Sequence, residues 1–176
     1  HTVGQLKRGD VANPVVIPFI EGENDSKADR NRLIGEVRIL GTDTRISRDL
    51  PAGTEVEVTI EIDEAYKVKA TVYIDLIDAA FDQVFDLHIS NSKPEVLRED
   101  FKSEKVRLEE LKRQAGTVGD QEAVEELRKI DEQDLLKQTQ ATVAAAQGDP
   151  DARGEADRKI LNLRTAVDRL EDRLAW

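Results

Sequence analysis

Few side chains in this chain are suited to catalysis. Its two histidines are His1, at the terminus, and His88. In a period-two reading His88 falls on the opposite face from Phe85 and Leu87, which makes it an exposed strand residue with no metal-ligand spacing around it. The serines Ser26, Ser47, Ser90, Ser92 and Ser103 include none in a G-x-S-x-G setting. No Walker motif and no G-x-G-x-x-G occurs, so phosphate-cradling loops are not indicated. Paired acids such as Glu109-Glu110 and Glu125-Glu126 fall in helical patterns with Lys and Arg at ion-pairing spacing, the mark of a solvated helix face. Asp63-Glu64 has no carboxylate run beside it to complete a calcium loop. Arg8-Gly9-Asp10 is the tripeptide that some adhesion receptors read, but one so short is common by chance. Trp176 reads as a packing residue at the end of the chain. These residues point to a chain that is not an enzyme by itself and that binds no metal.

Composition narrows the partners. The net charge of −11 argues against nucleic acid and anionic membrane surfaces. Hydrophobic content of 39% against 36% charged implies a high ratio of surface to core. There is no cysteine, so disulfide and thiol chemistry are excluded. No run approaches the roughly 18 apolar residues of a membrane-spanning helix. The chain opens at His1-Thr-Val-Gly with neither an initiator Met nor a signal-peptide pattern, and is read as a processed chain or, in preference, an excised fragment of a cytoplasmic protein.

The elements that must position any site change character near residue 91. Before it Val, Ile and Thr alternate; after it Ala, Leu, Glu, Lys and Arg dominate. Strands followed by helices indicate an α+β chain, with residues 1–90 a β-sandwich part and residues 91–176 a helical subdomain. Val15, Ile17 and Phe19 alternate along one strand, and Leu33, Val37 and Ile39 along the next. Between them Glu23 to Arg30 reads as a solvated loop. Thr2 to Lys7 is a short partial strand, and Gly41 to Gly53 a long loop. Glu55 to Ile62 alternates most cleanly and is expected to lay one face on a core and the other in water. With Val68 to Leu76 it forms a hairpin. A last strand carries Phe85, Leu87 and Ile89.

Ser92-Lys-Pro-Glu95 has the form of a capping box opening a first helix, which Gly116 and Gly119 end. A second helix is expected from about Asp120 to Gln147. Asp149 and Pro150 start a third, whose heptads set Ala156, Leu163 and Leu170 at one position and Ile160, Val167 and Leu174 at the other. Three helices with short joints form an antiparallel bundle.

Phe19-Ile-Glu-Gly-Glu23, then Asp29-Arg-Asn-Arg-Leu-Ile-Gly35 and Ile39-Leu-Gly41, resemble the substrate-binding region of the seventy-kilodalton heat-shock chaperones (DnaK type). Leu50-Pro51 followed by Val56-Glu-Val-Thr-Ile-Glu-Ile-Asp63 is similar to that family's proline-led strand ending in D-I-D. The resemblance covers about residues 1–115 by motif and the rest by architecture. It implies a partial antiparallel β-sandwich that clamps an extended apolar peptide, a three-helix lid or bundle over it, and an ATPase domain upstream that holds the ATP; no cofactor is implied in this chain. The implied partners are unfolded or extended polypeptides and co-chaperones. Val15 matches the family's central-pocket valine, Ile17 a flanking pocket residue, Leu6 a contact in the preceding strand, and Arg48 a loop arginine that latches the lid. Each also fits an ordinary role, the three apolar residues as core and Arg48 as a solvated charge.

The chain departs from the pattern in three places. Glu64-Ala65-Tyr66 replaces the usual N-G or D-G turn, so that hairpin needs a different turn. Pro18 lies within a strand and must face an edge or bulge. The family's first sandwich strands are absent, which leads to an expectation of self-association through unpaired edges. A second reading stays open, in which the helices dock a partner and no peptide is clamped.

Overall fold

The computed structural model describes residues 1–90 and 92–175; Trp176, expected as a packing residue, lies outside them. Antiparallel sheets precede helices, an α+β arrangement. The chain divides into two compact units, His1–Phe19 with Leu33–Leu87, and Ile20–Arg32 with His88–Trp176. The polar loop after the first strand thus groups with the helices rather than with the sheets.

In the first unit β1 (Val15–Glu21) and β2 (Arg32–Ile39) form a two-stranded sheet. β3 (Glu57–Ile62), β4 (Lys67–Ile74) and β5 (Ala79–Asp86) form a three-stranded one in that order. Pro18 sits in β1, which has one strand partner and so one side where a missing N–H costs nothing. The even residues of β4, Val68, Ala70, Val72 and Ile74, are all buried, as alternation requires. They share a core with Leu6, Phe19, Ile39, Ile46, Leu50, Phe81 and Phe85. Phe19 and Phe85 stack at 5.4 Å between ring centroids. Gly35 lies so close to this pair that a Cβ there would stand 2.4 Å from the Phe85 ring.

Two expectations about the strands are corrected, and the expected different turn is seen. β3 does not lay one face on the core: all six of its residues are exposed, because it is an edge strand whose apolar face runs past the core that covers β4. β5 ends at Asp86, so His88 is exposed but lies in a turn rather than a strand, and Ile89 is outside the ladder. The β3–β4 hairpin closes with Tyr66 in the left-handed region at φ 58°, after a turn in which the Tyr66 amide donates to the Asp63 carbonyl at 3.0 Å. Asp63 Oδ1 accepts from the Ala65 and Lys67 amides at 2.9 Å each. A three-residue loop ending in a left-handed residue is the alternative that the missing N-G demanded.

Among the described residues the second unit holds four α-helices, not three: α1 (Pro94–Val118), α2 (Gln121–Glu132), α3 (Leu135–Ala145) and α4 (Arg153–Leu174). The expected second helix breaks at Asp134, which adopts a left-handed conformation at φ 47°. The apolar stripe explains it. Ala123, Leu127 and Ile130 step by four and three, but the next apolar residue is Leu135. A step of five leaves the face of a 3.6-residue helix, so the chain breaks to bring Leu135, Thr139 and Val143 back inward. The expected capping box does not form either. Lys93 is the N-cap with Pro94 at the first position, and the Ser92 amide instead donates to Ser90 Oγ at 3.1 Å. Gly119 ends α1 as expected, at φ 68°, whereas Gly116 lies inside it. Asp149 caps the 3-10 turn Pro150–Ala152 that leads into α4. α4 packs against each of the other helices. Its heptad residues Ala156, Ile160, Leu163, Val167 and Leu170 are buried against Leu97, Phe101, Leu108 and Leu111 of α1 and Val143 of α3.

Candidate functional site

β1 places alternate side chains on opposite faces, so Val15 and Ile17 point one way and Val16 and Pro18 the other. Val15 and Ile17 are half-buried and pack on the core of the first unit, whereas Val16 and Pro18 are exposed. The N-terminal stretch runs antiparallel to residues 50–54. Leu6 and Leu50 exchange backbone bonds of 2.9 and 2.8 Å, and the Gly53 amide donates to the Thr2 carbonyl at 2.7 Å. A groove of about 500 Å³ opens there, lined by Val15, Ile17 and Val56 with Thr2, Gln5 and Asn13. That volume is within the range of ligand pockets, and its chemistry is apolar side chains beside polar groups.

Of the residues singled out from the sequence, the groove brings together Val15 and Ile17. Leu6 is fully buried in the core behind its bridge to Leu50. Arg48 is exposed on the loop between Gly41 and Gly53. That loop is held by Arg45, whose guanidinium lies 4.2 Å from the Phe81 ring centroid and donates to the Ala80 carbonyl at 2.8 Å. Hydrogen bonds from Arg45 hold the Asp43 carboxyl down at about 2. Among the described residues no group of three His, Cys, Asp or Glu could hold a metal ion.

A second polar constellation lies in the helical unit. Arg30 forks onto Glu104 of α1 through both terminal nitrogens, with Nη2 at 2.8 Å from Oε2. The same guanidinium donates to Asp168 Oδ1 of α4 from Nε at 3.0 Å and Nη2 at 2.8 Å. Asn24 Nδ2 donates to Asp168 Oδ2 at 3.0 Å, and Arg164 Nε lies 3.3 Å from Glu104 Oε1. Burial disfavours the charge on Arg30, but its hydrogen bonds to Glu104 and Asp168 outweigh that and raise its pKa. Burial likewise pushes Asp168 up, and the bonds from Arg30 and Asn24 bring it net below the usual carboxylate value. Beside this, Arg32 donates to Asp157 Oδ2 at 3.1 Å and to the Ile89 carbonyl at 3.0 Å. The loop that read as solvated is therefore fastened by paired charges, because Arg30 finds two carboxylates far along the chain. Every charge in this cluster has a partner at hydrogen-bonding distance, so it suits fastening better than catalysis.

Compared with known proteins, the chain matches no family model and no curated protein. No helix among the described residues is long and apolar enough to cross a membrane.

Proposed function

We propose that this chain binds extended apolar segments of unfolded polypeptides, as the C-terminal part of an ATP-dependent chaperone of the seventy-kilodalton heat-shock type acting in the cytoplasm. ATP binding and hydrolysis belong to a domain outside this chain. The observation that carries the reading is the groove against Val15 and Ile17. The resemblance assigns both residues to its pocket, and both are part-exposed, so a Leu or Ile side chain can remove their remaining surface from water. Burying one such side chain contributes about 1.5–3 kcal/mol, enough to select apolar segments without reading a unique sequence. The alternative, helices docking a partner, loses its main feature because the α4 heptads are already buried inside the bundle.

The reading is tested by fluorescence anisotropy with a labelled Leu-rich heptapeptide, on the chain itself and on Val15→Asp. A carboxylate in the groove is expected to weaken binding at least tenfold while the melting curve still shows a folded protein. Unchanged affinity in a folded Val15→Asp variant removes the pocket assignment.

A further inference from the structure

β3 presents a surface that the groove does not explain. Val58, Ile60 and Ile62 are 40, 54 and 63% exposed. Their register partners Val72, Ala70 and Val68 are buried, and paired residues in an antiparallel ladder share a face. The three side chains therefore extend the apolar face of the sheet beyond what the core covers. The backbone is open along the same line. The Asp63 amide bonds to the Lys67 carbonyl, which marks that pair as hydrogen-bonded. Alternation then turns Glu61, Thr59 and Glu57 toward β4 and leaves the N–H and C=O groups of Val58, Ile60 and Ile62 facing outward. β3 is the outermost strand of its sheet, with no Pro, Lys or bulge to blunt it.

The acidic residues specify what can join. Two copies of β3 meeting about a two-fold axis must run antiparallel. Pairing Ile60 with itself sets Glu57 opposite Asp63 twice. Shifting by two residues in one direction sets Glu57 opposite Glu61, and in the other Glu61 opposite itself. Like charges directly opposite are destabilising, so the edge resists its own copy. β4 shows the complementary pattern. It sets Lys69 opposite Glu61 and Thr71 opposite Thr59, with Val68, Ala70 and Val72 on the apolar face.

We propose that the free edge of β3 accepts, by strand addition, an antiparallel segment of a partner polypeptide in which apolar residues alternate with basic ones. The apolar residues of the segment cover Val58, Ile60 and Ile62. Its Lys or Arg side chains stand opposite Glu57 and Glu61. Outward backbone groups supply affinity, and the alternating side chains supply selectivity. The site is separate from the groove at Val15 and does not depend on the chaperone reading.

The probe is a labelled peptide of the β4 sequence with Lys in place of its Tyr, Lys-Val-Lys-Ala-Thr-Val-Lys-Ile, which sets Lys opposite both Glu61 and Glu57, with a second peptide carrying Glu at every Lys position. Anisotropy titrations on the full chain are expected to favour the basic peptide about tenfold, with the preference shrinking as salt is raised. Glu57→Lys with Glu61→Lys is expected to reverse the preference. Glu57→Lys alone, opposite Tyr73, is the milder variant if the double one melts early. Ile60→Lys, on the edge itself, is expected to abolish basic-peptide binding while leaving binding of the Leu-rich heptapeptide unchanged, which separates this site from the groove. Equal binding of both peptides, no binding of either, or basic-peptide binding that Ile60→Lys leaves intact would each overturn the proposal. So would a concentration-dependent dimer in sedimentation that Ile60→Lys dissolves, because the edge would then belong to a second copy.

Discussion

Arg30 and Glu104 stand 74 residues apart in the chain and meet as a bidentate pair inside the helical unit. Glu104 is nearly fully buried, and Asp168 closes on the same guanidinium from α4. One loop cation thus ties together two helices. Removing one partner of a buried pair leaves an uncompensated charge, which is strongly destabilising. Glu104→Ala is expected to lower the unfolding free energy by about 3 kcal/mol. Urea unfolding followed by circular dichroism at 222 nm checks this; a loss below about 1 kcal/mol would mean that the pair contributes no more than a surface bridge.

Asp168 gives the network a pH dependence. Its pKa in the folded protein lies below the ordinary value of 3.8, so near that pH the folded protein binds fewer protons than the unfolded one. Its stabilising contribution is therefore complete above about pH 5 and is lost as pH falls through the lowered value. The melting temperature of the chain is expected to fall more steeply below pH 4 than that of Asp168→Asn. Parallel profiles for the two proteins would count against the assignment.

Gly35 owes its identity to Phe85. With a Cβ only 2.4 Å from the ring, Gly35→Ala must displace Phe85 from its stack on Phe19. Overpacking of this kind costs about 1–3 kcal/mol. Adding Phe85→Leu, which empties the space, is expected to return part of the loss. A double-mutant cycle measures the coupling, and strictly additive losses would contradict the contact.

Tyr66 holds a left-handed conformation that costs a non-glycine residue about 1 kcal/mol. Its side chain is more exposed than not. Tyr66→Gly is expected to raise the midpoint of thermal unfolding by a few degrees. A lower midpoint would mean that the tyrosine ring contributes more than the turn loses.

Much of this architecture is legible in the residues themselves. β4 buries the alternate residues that its pattern marks, Gly119 and Asp149 stop and start helices, and the α4 heptads fill the bundle. Local rules suffice because each feature is encoded within one or two turns of chain. Periodicity says which residues share a face, but not whether anything covers that face, and so β3 was expected to be half-buried. The break at Asp134 is written in the five-residue step from Ile130 to Leu135, but no Gly or Pro announces it. Arg30 reads as an ordinary loop charge, and Arg32 as the first residue of β2, until Glu104 and Asp157, more than 70 residues away, pair with them, and no local pattern carries that information. At the groove, Val15 and Ile17 could be singled out by resemblance, whereas Val56 and the N-terminal residues that line it with them could not.

The claim that matters most is that a peptide occupies the groove against β1. Amide chemical shifts of the isotope-labelled chain, followed while an unlabelled Leu-rich heptapeptide is added, locate it directly. The account predicts saturable shifts at Val15, Ile17 and Val56 and along Thr2 to Gln5, all suppressed in Val15→Asp. Shifts confined to α1–α4, with Val15 and Ile17 unmoved at saturation, would contradict it.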